Sequence, residues 1–310
     1  MDSYDLFGLE RGKYMKRKKI KKQTIIGLIF LFPAAAFILI FMIIPLIWNF
    51  GLSFFEWNGN SAVQFKGFDN FVTLLTTKAV TSSITKSIFI ALVATVVAMG
   101  LGIVYALFLY RLRRREQKIF RFIFFSPAML PLSVVGVLFI FVFANDSGIL
   151  NSLLEAIGLG SLRRAWLGEP QLSLWVIAIV QGWRQSGVVM ILTTTAILGL
   201  PKSLFENGIL EGTTYWEDVK YIILPLIKSS VNLLLSMMLM SGFKTYDMVY
   251  AMTKGGPGEM TYTVPMKIIQ LGFSYNRYGE AAALGTILTV IATVLILLSR
   301  YSMRGETYEY

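Results

Sequence analysis

"LFENGILEGTTYWEDVKYIILPLI", residues 204–227, lies between two long apolar segments, yet it carries Glu206, Glu211, Glu217 and Asp218. Glu206, Gly208, Ile209 and Gly212 fall near one another at three- and four-residue spacing, the spacing of one helix face. Gly212-Thr213-Thr214 then reads as a turn. A second short helix, about 215–223, runs amphipathically into Pro225. Pro is well tolerated in the first turn of a helix, so Pro225 is expected to open an apolar span and to join it rigidly to the short helix. Such an element would lie across one membrane face and carry a push from a neighbouring protein into the bilayer.

The rest of the chain supplies the membrane. Of its 310 residues 55% are hydrophobic and only 15% charged, against ~25% charged in soluble domains. The mean hydropathy is +0.63. The apolar residues come in long blocks, which implies a polytopic membrane protein. Cys and His are both absent. Disulfides and thiolate metal sites are thereby excluded, and the commonest general base and the usual zinc ligand are missing. The net charge of +11 does not point to nucleic acid, because the cations cluster at span ends. The basic stretch "KYMKRKKIKK" precedes 33 uncharged residues, Gln23 to Phe55. A signal peptide's apolar region is ~7–15 residues long, so this segment is expected to stay in place as a first span.

At ~20 apolar residues per crossing, six spans are expected: about 24–48, 87–110, 122–143, 171–198, 225–246 and 281–299. If the chain starts inside, nineteen of its 29 Lys and Arg fall on the inner side and eight outside. That bias predicts cytoplasmic termini and a cytoplasmic opening stretch. The expected divisions are a basic tail (1–23), a first span with its outer loop (24–78) and a core (79–310) containing a coupling loop at 201–224. Ala94, Ala98, Gly102 and Ala106 line one face of the second span, and small residues let backbones approach in lipid; the partner is either this chain or another subunit. Pro127 and Pro131 are expected to kink the third span near its cytoplasmic end. Residues 248–278, with a turn at Gly255-Gly256-Pro257-Gly258, are too apolar for a solvated linker and are expected to fold.

Two decoys fail. "GLERGK" at 8–13 has three residues between its glycines where a P-loop needs four, and Tyr14 stands in place of Ser or Thr. "GLGIVYA" at 100–106 lies inside a span, where no dinucleotide turn can form. With no Walker A sequence, metal-spaced cluster or nucleophile elbow, the chain is expected to be no enzyme, to bind no cofactor or metal, and to draw its energy from elsewhere.

Glu206, Glu211-Gly212 and Ile222-x-Leu224-Pro225 resemble the Glu-Ala-Ala, Asp-Gly, Ile-x-Leu-Pro signature loop of permease subunits of ATP-binding-cassette importers. Asn207 and Gly208 replace the two usual alanines, and Glu211 replaces the aspartate. "MTKGGPG" at 252–258 and "YGEAAALGTIL" at 278–288 extend the resemblance to the carbohydrate permeases of the maltose and glycerol-3-phosphate type, over nearly the whole chain. The resemblance implies an all-α type I importer permease fold of six transmembrane helices in a bacterial or archaeal plasma membrane. It implies a second homologous permease, two cytoplasmic ATPase subunits that use ATP and Mg, and an extracellular solute-binding protein. It also implies that Glu206, Asn207, Gly208, Glu211, Gly212, Ile222, Leu224 and Pro225 couple to an ATPase.

Charges at mid-membrane usually face a cavity or a partner. Arg184 sits in the fourth span, and Lys244 and Asp247 lie toward the outer end of the fifth. Matching to the maltose permease puts Arg184, Gln185, Gly242 and Thr245 at pocket positions, with Trp183 beside them to stack on a sugar. Trp183, Arg184, Gln185, Gly242, Lys244, Thr245 and Asp247 are therefore the candidate substrate residues. Two other roles stay open: Arg184 pairing internally with Asp247, and Lys244 snorkelling to the interface. If Arg184 and Lys244 both face the cavity, an acidic sugar or sugar phosphate is the expected substrate. The rival function is a secondary sugar transporter driven by an ion gradient, but such proteins commonly carry inverted repeats and none is evident here.

Overall fold

The structure, a computed structural model, describes residues 24–302. The basic segment 1–23, the charges counted on it and residues 303–310 lie outside the described residues. The chain divides into two compact units, one ending at Leu52 and the other starting at Ser53. The first contains one apolar helix, α1 (Thr24–Leu52). Its hydrogen-bond ladder widens to a π turn at Leu39–Ile43, directly before Pro45, which has no N–H to give.

The second unit opens with a two-stranded hairpin, β1 (Phe55–Glu56) against β2 (Gln64–Phe65), antiparallel with Phe55 opposite Phe65. Then follow α2 (Asp69–Thr76), α3 (Lys78–Arg111), α4 (Arg114–Met129), α5 (Leu132–Val142) and α6 (Ile149–Ala156). After a 3₁₀ turn come α7 (Pro170–Leu198), α8 (Lys202–Glu211), α9 (Tyr215–Leu226) and α10 (Lys228–Phe243). The last elements are α11 (Asp247–Thr253), α12 (Val264–Ile269) and α13 (Tyr278–Ser302). Four of these helices, α1, α3, α7 and α13, are long and apolar enough to cross a membrane, and the count reaches six if each of two bent pairs is one crossing.

The bent pairs correct two expectations. The third span is not a kinked rod: α4 and α5 meet at 98°. The break falls at Leu130-Pro131, both in extended conformation, because proline disfavours the helical conformation in the residue before it and withholds its own N–H. Nor does Pro225 open the fifth span. It sits inside α9, and α10 begins only at Lys228, bent by 69° from α9. The joint is therefore Ile227, which leaves the helical region at φ −87°, ψ 5°.

α3 and α7 form the centre. Ala94, Ala98 and Ala106 are fully buried, so this stripe packs within the chain. A Cβ on Gly102 would lie 2.5 Å from Val189 Cβ, and one on Gly182 would lie 2.6 Å from the Ala94 carbonyl oxygen. Neither position has room for a methyl group. In lipid, where apolar burial drives little, this close backbone approach is what holds two helices together. The resulting core runs in layers. Ile90, Ile177, Val135 and Met248 join α3, α7, α5 and α11. Ala98, Val189 and Leu234 join α3, α7 and α10. Ala106, Ile197, Val219 and Ile223 join α3, α7 and α9.

The segment after α10 folds, as its composition requires. The Thr253 and Thr261 hydroxyls are 2.7 Å apart, and Thr261 also donates to the Gly256 carbonyl, closing the glycine-rich turn. Gly255 has φ +89°, and Tyr262 packs over the place where its Cβ would be.

Candidate functional site

Residues 201–227 form a helical hairpin fixed to the ends of α3 and α7. α8 stops where Gly212 turns left-handed, φ +78°, a conformation glycine adopts without penalty. The Thr213 N–H returns to the Gly208 carbonyl at 3.0 Å. α9 then starts on a capping arrangement: the Thr214 N–H and hydroxyl each donate to the Glu217 carboxylate at 2.7 Å. Those two bonds, the backbone one foremost, hold the Glu217 carboxyl below its ordinary range. Thr214-x-x-Glu217 is a capping-box sequence, a signal the sequence reading passed over.

Gly208 is the buried residue of α8. A Cβ there would lie 2.8 Å from Thr213 Oγ1 and 3.1 Å from Asp218 Oδ1, and these two atoms form a 2.7 Å hydrogen bond. The departure from alanine at this position therefore has a local cause: α9 crosses α8 here.

Anchoring is by side chains that no sequence pattern singled out. The Tyr215 hydroxyl donates to the Leu107 carbonyl at 2.9 Å, and the Arg111 guanidinium lies 4.7 Å from the Tyr215 ring centroid. The Tyr110 and Phe205 rings are 5.6 Å apart. Val219, Ile223 and Ile227 are buried beneath. The opposite side of the hairpin has no cover. Glu206, Asn207, Glu211 and Gly212 are exposed, Ile222 is half-buried, and Leu224 and Pro225 are exposed. So are Ile209 (73%), Leu210 (86%), Trp216 (70%) and Tyr221 (66%).

The candidate substrate residues do not form one cluster. Gln185 is buried and donates to the Ser241 hydroxyl at 2.7 Å, tying α7 to α10, while its carbonyl oxygen is buried without a partner. Thr245 is also buried; its hydroxyl donates to the Ser241 carbonyl at 3.4 Å, and its own carbonyl accepts from Thr263 at 3.1 Å. Gly242 is a contact glycine: a Cβ there would lie 2.5 Å from Ala91 Cα. Trp183 packs edge-on against Phe139. Lys244 and Asp247 are exposed.

Arg184 corrects the alternative of an internal ion pair. Among the described residues it forms no salt bridge with Asp247. Its Nε and Nη2 donate to the Leu130 carbonyl at 3.2 and 2.9 Å, and Nη2 also reaches the Ala128 carbonyl at 3.2 Å. Those acceptors belong to the break between α4 and α5, where the terminal carbonyls of a helix lack intrahelical donors. Among the described residues no group of three His, Cys, Asp or Glu is placed to hold a metal.

A bent-helix bundle with an anchored, uncovered hairpin can be set beside known proteins. The family described as "Binding-protein-dependent transport system inner membrane component" matches residues 98–305. The chain belongs to this family. Similar relatives in the family include the probable ABC transporter permease protein YurN of Bacillus subtilis (strain 168), 30% identical over 281 residues, covering 90% of this chain and 96% of YurN. Another is the probable starch degradation products transport system permease protein AmyD of Thermoanaerobacterium thermosulfurigenes, 26% identical, covering 95% of this chain and 99% of AmyD. The fold is that of a chain in the crystal structure of a bacterial alginate ABC transporter in complex with alginate pentasaccharide-bound periplasmic protein. The TM-score is 0.78 at 23% identity, over 93% of this chain and 96% of that one. The expected resemblance to ATP-binding-cassette importer permeases is thus confirmed, and the chain is a multi-pass membrane protein of that type.

Proposed function

We propose that this chain is a membrane-spanning permease subunit of an ATP-driven, binding-protein-dependent carbohydrate importer, and that residues 204–224 couple it to a cytoplasmic ATPase. The observation that carries the reading is the exposed ridge Ile209, Leu210, Trp216 and Tyr221 on a hairpin whose other side is bolted to α3 and α7. Large apolar side chains gathered on an anchored element mark an interaction surface. Glu206, Asn207 and Glu211 on the same hairpin are exposed and polar, the mixed composition of an interface with a polar rim. In this reading both termini are cytoplasmic. ATP and Mg are bound by two partner ATPases and no cofactor by this chain. A second permease completes the path, and an extracellular binding protein delivers the sugar.

Carbohydrate is the proposed substrate class, because the relative AmyD is named for the transport of starch degradation products. Trp183 and Gln185 on α7, with Thr245 after α10, are the residues proposed to line the path. Gln185 retains an unpartnered acceptor for a hydroxyl.

The test is sugar uptake and ATP hydrolysis by the reconstituted transporter in liposomes. Glu206→Lys or Gly212→Val should leave the protein inserted while uptake per ATP falls at least about ten-fold, which corresponds to ~1.4 kcal/mol of lost docking free energy. Normal coupling in both variants would remove the docking assignment. Uptake that persists without ATP and collapses with an ionophore would establish the ion-driven alternative instead.

A further inference from the structure

A cavity of about 380 Å³ opens between the N-terminal parts of α3 and α7, lined by Ser82, Thr85, Lys86, Phe89, Gln171, Trp175 and neighbouring apolar residues. None of the candidate substrate or coupling residues reaches it. On α3, Ser82, Thr85, Lys86 and Phe89 follow the i, i+3, i+4, i+7 spacing of one face, so the wall grades from hydroxyls through a cation to an aromatic ring. On α7, Gln171, Leu174 and Trp175 repeat the gradient. Phe89 and Trp175 meet edge to face at 4.8 Å and form the floor, and Trp175 remains 46% exposed.

Lys86 is the charged residue of the lining. Its ammonium donates to the Glu259 carbonyl oxygen, a neutral acceptor, at 2.7 Å. The Glu259 carboxylate pairs with Lys267 at 3.3 Å. The Glu259 carboxylate is thus taken by Lys267, while the Lys86 ammonium, with three donors to place, is held by a neutral acceptor. Lys86 lies eight residues from the start of α3, roughly 12 Å along the helix axis, and Trp175 beside it is a residue type enriched where spans meet lipid headgroups.

We infer that this cavity binds a phosphate-bearing anion, the headgroup of an anionic phospholipid, with the phosphate on Lys86, Ser82 and Thr85 and the glycerol and first methylenes over Phe89 and Trp175. Sugar is the less suitable occupant, because no carboxylate lines the cavity to accept hydroxyl protons and its deeper half is apolar. The inference requires only that the chain spans a membrane, so it stands or falls separately from the coupling assignment.

The experiment is native mass spectrometry of the purified transporter, titrated with phosphatidylglycerol, phosphatidylcholine or inorganic phosphate. Phosphatidylglycerol should be retained over phosphatidylcholine. Lys86→Gln should lower that retention roughly five-fold, the factor typical of one basic residue at an anionic surface, and Lys86→Arg should restore it. Thr85→Ala gives a second, milder loss should Lys86→Gln fold poorly. Displacement of phosphatidylglycerol by inorganic phosphate would keep the phosphate chemistry and assign its source to free anion. Equal retention of the two lipids, or unchanged retention in both Lys86→Gln and Thr85→Ala, would overturn the site.

Discussion

Arg184 is the residue whose substitution separates a structural clamp from a substrate ligand. Its guanidinium satisfies the Ala128 and Leu130 carbonyls with contacts of 2.9–3.2 Å. Hydrogen bonds to charged groups contribute ~1.5–3 kcal/mol each, so losing both acceptors costs about 3–6 kcal/mol. Arg184→Met also removes a charge from the membrane interior, which returns ~2.5–3.5 kcal/mol. The net loss is roughly 0–3 kcal/mol, about 1.5 at the midpoints. Arg184→Lys keeps the charge, and with it the insertion cost. A single ammonium lacks the planar fork that spans two carbonyls, so it forfeits one acceptor, again about 1.5–3 kcal/mol. The clamp therefore predicts similar destabilisation by Lys and Met. The assay is thermal unfolding of the purified transporter followed by uptake in liposomes. Both variants should melt earlier and should lower the maximal uptake of neutral and anionic sugars by the same factor, with KM unchanged. Wild-type melting in Arg184→Met, or a rise in KM confined to anionic sugars and repaired by Lys, would refute the clamp.

Other outcomes follow from single contacts. Gly208→Ala should push apart the Thr213–Asp218 bond, costing ~1–3 kcal/mol as overpacking does; proteolysis should then cut the hairpin sooner while the spans stay intact. Tyr215→Phe removes the hydroxyl that reaches Leu107 but keeps the ring under Arg111, so melting should shift by only ~1 kcal/mol, whereas Tyr215→Ala should shift it by ~3–5 kcal/mol. Gly102→Val sets a branched side chain against Val189 and should abolish the folded chain, seen as loss of a monodisperse peak in detergent chromatography.

Much of this architecture is legible in the chain. The uninterrupted apolar runs define α1, α3, α7 and α13, and the Ala94 to Ala106 stripe announces a close helix crossing. The turn at Gly212 and the folding of residues 248–278 are equally readable. What escapes is set by distant partners. Pro131 signals a kink, but the size of the bend depends on what takes up the freed carbonyls, and that is Arg184, 54 residues away from Leu130. Arg184 in turn announces its need for a partner without naming one: substrate and Asp247 are both readable from the sequence, the carbonyls of Ala128 and Leu130 are not. Pro225 misled because a proline in a first turn and a proline inside a short helix have the same local preference; the bend at Ile227 arises where α9 is drawn onto Ala106 and Ile197. The candidate substrate residues are scattered for a related reason. Gly242 is needed where α10 touches Ala91, and family position alone does not reveal that contact.

The fit of Gly102 on Val189 and of Gly182 on Ala94 has a mechanical consequence. At these two contacts no methyl group fits between α3 and α7, so over the stretch from Ala94 to Gly102 the pair resists sliding and moves as a beam. In the proposed coupling role, a torque delivered at residues 204–224 is absorbed at joints outside that beam. Among the described residues two such joints lie at Leu130-Pro131 and at Ile227, so strain gauges in the form of spin labels should register their largest excursions across those hinges and almost none along the beam itself.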